Sequence, residues 1–337
     1  MIGTRYISEN RKPLQELLPM KQPLVLFVDP SDKCCLKCSF CPTSDAFLMQ
    51  KVNRPLKNMS FDLFKKIVDD LYEFENPIKV LRLYGHGEPL LNSLFCDFVS
   101  YAKTCSVIES IDTTSNGICL NPTLNLKLVE SGLDRINISI NGVSNNQYKS
   151  FTKTNIDFNR LVSNIKHLYE NKKQLYIFIK INGDTITEED EQKFLEIFEP
   201  IADSVAIERS LSCWNGFSPE GFIRSDSTKG IYGQELKEEA LVCPYSMYNL
   251  FIHSDGKVAR CFLDWNRKLV FEDVNKKSVK DIWTGKSQNY FQSFMLEGKR
   301  KQHSICKDCD QLIGGLPSNI DNYAKQIITD RNENKYK

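Results

Sequence analysis

Between residues 24 and 208 the sequence switches six times between short β-rich runs and longer stretches with helical spacing of apolar side chains. The β-rich runs fall at 24–28, 80–84, 110–114, 135–140, 175–181 and 204–208. Helical patterns fall between them at 60–74, 91–102, 124–131, 158–171 and 188–198, and the sixth unit ends in a loop. In SFDLFKKIVDDLYEF, apolar residues recur at Phe61, Leu63, Phe64, Ile67, Val68 and Leu71 behind a Ser60 suited to capping. A helix-length segment between consecutive strands demands parallel pairing with right-handed crossovers. The chain is therefore α/β. Six units suit either a doubly wound sheet or an incomplete barrel, and periodicity alone does not choose between them.

After about residue 212 the texture changes. Residues 250–252, a turn at Ser254-Asp255-Gly256 and residues 257–262 predict a β-hairpin, followed by helices near 279–283 and 290–296. The charged stretch 330–337 is expected to fray. The expected organisation is an N-terminal extension over 1–21, an α/β unit over 22–212, a cysteine-bearing α+β region over 213–315 and a C-terminal tail over 316–337. Lys plus Arg number 44 against 43 Asp plus Glu, a net charge of +1, so no nucleic-acid or membrane-surface partner is expected. No apolar run reaches the length of a membrane span, and the first residues lack a signal-type apolar core, which predicts a cytoplasmic protein. In that reducing compartment, 12 cysteines point to metal ligation rather than disulfides.

The first such group follows the first strand, in DPSDKCCLKCSFCP. Cys34, Cys38 and Cys41 stand at C-x3-C-x2-C, on a loop at the C-terminal end of a strand, where α/β folds place active sites. Three thiolates on a 4Fe–4S cluster leave one iron open to chelate a small molecule. A zinc loop or buried cysteines are the alternatives, and Cys35 offers a second evenly spaced set with Cys38 and Cys41, although Cys34 is favoured. This spacing, with aromatic Phe40 before the last cysteine, resembles the signature of the radical S-adenosylmethionine (SAM) superfamily.

The resemblance implies an incomplete (β/α)6 radical SAM barrel. It also implies that the open iron binds the amino and carboxylate groups of SAM. One electron, supplied by a donor such as flavodoxin or ferredoxin, then cleaves the sulfonium to methionine and a 5′-deoxyadenosyl radical that abstracts a substrate hydrogen. YGHGEPLL resembles the family's Gly-Gly-Glu motif with His86 in place of the first glycine; by that match Gly87 lets the backbone approach and Glu88 accepts from the SAM ammonium. In TTSNG, Thr113, Ser115 and Asn116 are implied to reach the ribose or carboxylate, and Ser139 in INISING the same group. Each short motif taken alone is equally a turn sequence.

The second group is Cys243, Cys261, Cys306 and Cys309, four thiolates able to close a 4Fe–4S cluster or a structural zinc. Their spacing, C-x(9–15)-G-x4-C followed by C-x2-C, resembles the auxiliary-cluster region called SPASM in its shortened twitch form. That implies two 4Fe–4S clusters in all, one binding SAM and one auxiliary. Cys96, Cys105 and Cys119 are read as core residues; Cys213, with Trp214 beside it, faces the expected active site. Lys180, Glu208 and Arg209, at strand ends, are the candidate catalytic bases. His253 and His303 are expected in surface or turn roles.

The leading functional expectation is a radical SAM oxidoreductase that dehydrogenates a small molecule: a sugar, aminocyclitol or nucleotide-sugar alcohol. The Cys243-to-Cys309 spacing is similar to that of 2-deoxy-scyllo-inosamine dehydrogenase-like enzymes, a transfer by analogy. The alternatives are a maturase of a ribosomally made peptide or protein side chain, and a non-catalytic zinc-binding protein.

Overall fold

The six-fold alternation builds one sheet that stays open. The computed structural model describes residues 12–210, 214, 216–217, 229–235, 239–309, 311–314 and 318–337. Strands β1 (Val25–Val28), β2 (Ile78–Arg82), β3 (Ile108–Ser115), β4 (Arg135–Ile140), β5 (Tyr176–Asn182) and β6 (Ser204–Glu208) pair in sequence order, each parallel to the next. β6 does not return to β1. Instead β7 (Asn249–Ile252) adds in parallel to the free side of β1, and β8 (Lys257–Ala259) and β9 (Val270–Asp273) continue antiparallel, giving nine strands. The fold is thus the expected α/β incomplete (β/α)6 barrel with a small C-terminal α+β region, and the two share a sheet.

Registers sort the side chains. Leu26, Leu81, Ile111, Ile136, Ile138, Ile179, Val205 and Leu250 lie on one face and are buried. Helices α1 (Leu14–Leu17), α3 (Phe61–Asp70), α4 (Phe95–Thr104), α5 (Pro122–Glu130), α6 (Asn145–Thr152), α7 (Phe158–Asn171) and α8 (Glu188–Phe198) cover that face, while α2 (Ala46–Lys51) follows the cysteine loop. They contribute Phe64, Phe98, Leu128, Ile165 and Phe194 to one core with the sheet. Each such side chain stabilises by about 1.5–3 kcal/mol. The opposite face, the inside of the barrel, carries Arg82, Asp112, Thr114, Arg135, Asn137, Ser139, Lys180, Asn182 and Glu208. Fully buried parallel strands would be apolar on both sides; β1 is, with Val25 and Phe27 turned inward, whereas β2 to β6 place polar groups on that side.

Several boundaries differ from expectation. α4 starts at Phe95 rather than near residue 91, because Asn92 is buried with its amide donating to Pro30 and Met59 carbonyls and its oxygen accepting from Leu94 N–H. α6, NNQYKSFT, was not anticipated; its polar sequence shows little apolar face, yet Tyr148 and Thr152 are fully buried. Nor was β9. The tail also differs: α12 (Ala324–Asn332), which follows α9 (Val279–Trp283), α10 (Lys286–Leu296) and α11 (Gln311–Gly314), buries Ile327. Lys337 is not frayed, since its N–H donates to the Pro19 carbonyl at 2.8 Å. Among the described residues no helix is long and apolar enough to cross a membrane.

Candidate active site and metal centres

The loop after β1 is anchored before its cysteines begin. Asp29, fully buried, accepts from Ser31 N–H and His86 N–H; burial, with Asp32 nearby, holds its carboxyl well above the usual range. Asp32 pairs with Arg54 at 2.8 Å, both side chains without exposure. The cysteine loop then hangs from two carbonyls of α6: Lys37 N–H donates to Thr152 and Ser39 N–H to Phe151, each at 2.9 Å. The unanticipated helix is thus a support for the loop.

From the other side the loop after β2 presses in. Glu88 N–H donates to the Lys33 carbonyl at 2.7 Å. A Cβ on Gly87 would stand 2.1 Å from the Ser31 carbonyl oxygen and 2.5 Å from that of Lys33. The close approach expected at Gly87 is therefore to the start of the cysteine loop. Gly87→Ala is expected to push that loop away, destabilising by about 1–3 kcal/mol as overpacking does and lowering iron bound per chain. Thermal melting and iron assay check this; unchanged values in both would remove the role given to Gly87.

Cys34 is exposed, Cys38 and Cys41 half-buried, and Phe40 half-buried between them. Burial pushes the Cys38 and Cys41 thiols up. Hydrogen bonds from Cys119 and Cys34 pull Cys35 down to about 3, and push both donors up. Asn116 Nδ2 also donates to Cys35 Sγ at 3.4 Å and reaches Cys34 Sγ at 3.8 Å. Cys119 is therefore more than the core residue expected: it packs against the core with its thiol in the cysteine loop. Cys105 is buried as expected, and Cys96 packs against the core.

Glu88 joins three loops. Its Oε1 accepts from Ser115 Oγ at 2.7 Å and Leu90 N–H at 3.1 Å, and its Oε2 from Asn116 N–H at 2.7 Å. Burial raises it to about 7. A carboxylate offers about four acceptor positions, so one on Oε2 stays open to a cationic group. Ser115 and Asn116 are brought together with the cysteine loop, as expected. Thr113 is not: it lies on the helix-facing side, fully buried, donating to the Leu83 carbonyl at 2.7 Å, and the barrel-facing neighbour is Thr114. Ser139 faces the barrel interior beside Lys180.

Lys180 Nζ and Glu208 Oε2 form an ion pair inside the barrel, and Tyr232 OH donates to Glu208 Oε1 at 3.2 Å. Arg209 is a correction. It shares the parity of Val205 and Ile207, so it turns to the helix side, where it meets Glu191 of α8 at 3.2 Å and Asp184 at 3.8 Å. Deeper in the barrel Arg82 meets Asp112 at 3.6 Å, and Arg135 donates to Asn137 Oδ1 at 2.9 Å with its guanidinium over Tyr176 and Phe178. Trp214 packs edge-on to His86 at 6.1 Å; Cys213 lies outside the described residues.

The second thiol group lines a cavity of about 60 Å³ together with Arg260, Asp264, Phe291 and Arg300. Cys243 precedes β7, Cys261 follows β8 after the turn at Gly256, whose φ is +85°, and Cys306 and Cys309 follow α10. Burial and neighbouring thiols push Cys243 up to about 11, Cys306 up to about 12, and Cys261 well up. Buried Arg300 donates to the Cys306 carbonyl at 2.6 Å and pairs with Glu239. His303 takes the expected turn role: its Nδ1 accepts from Ile305 and Cys306 N–H, shaping the C-x2-C turn. His253 differs from the surface reading, being fully buried just after β7.

One distance criterion bears on what the thiols can hold. Tetrahedral zinc with Zn–S near 2.3 Å needs sulfurs about 3.8 Å apart. Among the described residues, the only three or more His, Cys, Asp or Glu donors lying within 4.8 Å of one another are Asp32, His86 and His253. No three thiols of either cysteine group meet that spacing among the described residues; three thiols on one loop and four around one cavity are donor sets that fit 4Fe–4S clusters.

A family model described as the Radical SAM superfamily matches residues 28–201, just over half of the chain, and one for SPASM, an iron-sulfur cluster-binding domain, matches 243–310. The GTP 3′,8-cyclase of Clostridium perfringens is 31% identical over 170 residues, 50% of this chain and 48% of that protein. A probable GTP 3′,8-cyclase of Methanococcus maripaludis is 36% identical over 120 residues, 36% of this chain and 37% of that protein. The matches thus span half or less of these relatives. Among solved structures, BtrN in complex with AdoMet and 2-DOIA superposes with a TM-score of 0.56 at 16% identity, over 90% of this chain and 98% of that one. SuiB of Streptococcus suis bound to precursor peptide SuiA gives 0.62 at 14% identity, over 93% and 74%. These likenesses are of fold.

Proposed function

The chain belongs to the Radical SAM superfamily and carries a SPASM domain; from that premise we propose that it dehydrogenates a small hydroxylated molecule, a sugar, aminocyclitol or nucleotide-linked sugar. This sets the non-catalytic zinc reading aside. The observation that carries the substrate class is the polar part of the barrel interior along β2 to β6, where Arg82, Asp112, Asn137, Lys180, Asn182 and Glu208 share one face. Hydroxyl and amino groups match such a surface; an apolar side chain buried there would leave polar groups unpaired.

When bound, a cluster and SAM together supply a carbon radical that removes a hydrogen atom from substrate. In this reading Cys34, Cys38 and Cys41 hold that cluster and leave one position for SAM, with Phe40 closing the loop. Glu88 offers its remaining Oε2 position to the SAM ammonium, and Ser115 and Asn116 fix the carboxylate's orientation. Lys180 and Glu208 bind substrate, and Glu208 takes the proton that a dehydrogenation releases, with Tyr232 restraining it. Cys243, Cys261, Cys306 and Cys309 would close an auxiliary cluster completely, and that cluster would take the one electron left when the substrate has given up a hydrogen atom and a proton. Residues 22–212 form the barrel unit and 213–315 the auxiliary region, flanked by 1–21 and 316–337, with electrons arriving from a flavodoxin or ferredoxin.

A second reading, a purine nucleotide substrate, is favoured by the 31% identity to a GTP 3′,8-cyclase over half of the chain. Reduced anaerobic protein with SAM and substrates deuterated at the carbinol carbon separates the two. We expect deuterium in 5′-deoxyadenosine and a ketone product with an aminocyclitol or sugar. Transfer only from GTP, or only from a peptide, would overturn the dehydrogenase reading.

A further inference from the structure

His253, just after β7, is wholly buried with neither ring nitrogen hydrogen-bonded. Buried imidazoles in native proteins nearly always find partners. Facing it are two more donors. His86, also buried, leaves Nδ1 unpartnered while its Nε2 lies 2.9 Å from the Phe262 carbonyl oxygen. Asp32 is held by Arg54 at Oδ1 and by Ser254 Oγ at Oδ2, 3.2 Å away. One ligand atom from each of the three lies within 4.8 Å of the others.

We propose that Asp32, His86 and His253 bind a divalent transition-metal ion of the zinc class, at a mononuclear nitrogen–oxygen site separate from both cysteine groups. The donor set supports that class. Two imidazoles and one carboxylate suit zinc-class ions, whereas calcium and magnesium prefer oxygen alone. Two of the three, His86 and Asp32, have the surroundings that metal ligands require. A ligating histidine normally donates its other N–H to a carbonyl or carboxylate, which fixes the tautomer and aims the free lone pair at the metal. His86 has that arrangement: Nε2–H donates to the Phe262 carbonyl and Nδ1 carries the lone pair. Arg54 and Ser254 orient the carboxylate in the same way.

Nearby positive charge is already compensated: Arg54 is paired with Asp32, and Arg267 with Asp255 at 2.6 Å. Asp32 lies two residues before Cys34, His86 two residues before Glu88, and His253 just after β7. The ion would therefore staple the three loops at the C-terminal ends of β1, β2 and β7. Three protein donors leave a fourth position for water. This inference does not depend on the dehydrogenase reading, and its readout is metal content and coordination rather than turnover.

The test uses holoprotein with both iron–sulfur centres reconstituted, incubated anaerobically with equimolar zinc and desalted. We expect about one zinc per chain, with an X-ray absorption spectrum at the zinc edge showing only nitrogen and oxygen neighbours at about 2.0–2.2 Å. His253→Ala and His86→Ala are expected to lose at least about tenfold in zinc affinity with iron and sulfide unchanged; losses of about 10–100-fold already follow from changing an outer-shell partner. His167→Ala, which alters a histidine of α7, is expected to keep the zinc. A sulfur shell near 2.3 Å, which marks zinc in the cysteine loops, overturns the proposal, as does protein that retains no zinc. So does a water in that place without anomalous scattering in a crystal of the zinc-treated protein. Should the alanine variants misfold, the wild-type spectrum decides alone.

Discussion

Replacing Cys34, Cys38 or Cys41 with alanine is expected to end reductive cleavage of SAM, with 5′-deoxyadenosine falling to background. A loss of about a thousandfold or more corresponds to about 4 kcal/mol of transition-state stabilisation. The expectation rests on arithmetic at the metal: three thiolates leave one iron for SAM, and two leave a cluster that is not retained. The loop is not in question, because its supports come from elsewhere, at Phe151, Thr152 and Glu88. Cys35→Ala is the informative companion. Cys35 accepts from Cys34, Cys119 and Asn116 rather than pointing away from them. With Cys34 as ligand, Cys35→Ala loses no more than about 10–100-fold in cleavage, the range for a neighbour acting through a ligand. Iron content and anaerobic product assay read both variants. Loss in Cys35→Ala together with survival in Cys34→Ala would exchange their roles.

The distance between sequence and structure is uneven, and the reasons are physical. The six βα units were legible because helix-length segments with apolar stripes separate short β-rich runs, signals local enough to read. The pairing of β7 with β1 was not, since a contact spanning over two hundred residues leaves no period in either segment. Strand parity decided two site residues: Thr113 and Arg209 belong to motifs in the right place, yet each points to the helices while Thr114 and Glu208 point inward. Motif matching sees position but not face. α6 escaped because its role is to offer two carbonyls, a backbone property nearly independent of side chains. His253 escaped because its partners, Asp32 and His86, stand at no spacing a sequence pattern would join. Among the cysteines, the 243–309 group was legible as one cluster and lines one cavity, whereas the place of Cys119 was not, because its contact with Cys35 joins two loops that no spacing links.

Cys306→Ala is expected to divide the chemistry in two. The variant should cleave SAM at close to the wild-type rate in the absence of substrate, because the loop after β1 and the Glu88 contacts do not involve α10 or its following turn. Product formation should fall by about a hundredfold or more, about 2.7 kcal/mol, and iron per chain by about half, since one of two four-iron centres loses its closure. The thiols of this group press on one another: burial and neighbouring cysteines raise Cys243, Cys261 and Cys306 alike. Thiols held up in this way resist ionising unless a cation neutralises them together, so the quartet gains or loses its metal as a unit. Cys309→Ala should therefore reproduce Cys306→Ala rather than give an intermediate phenotype. Arg300→Ala should resemble both more weakly, because it removes the guanidinium that holds the Cys306 carbonyl. Iron and sulfide assay, with 5′-deoxyadenosine and product measured in parallel, separates these effects. If Cys306→Ala lost SAM cleavage and product together, the two centres would form one functional unit and the division drawn between them would fail.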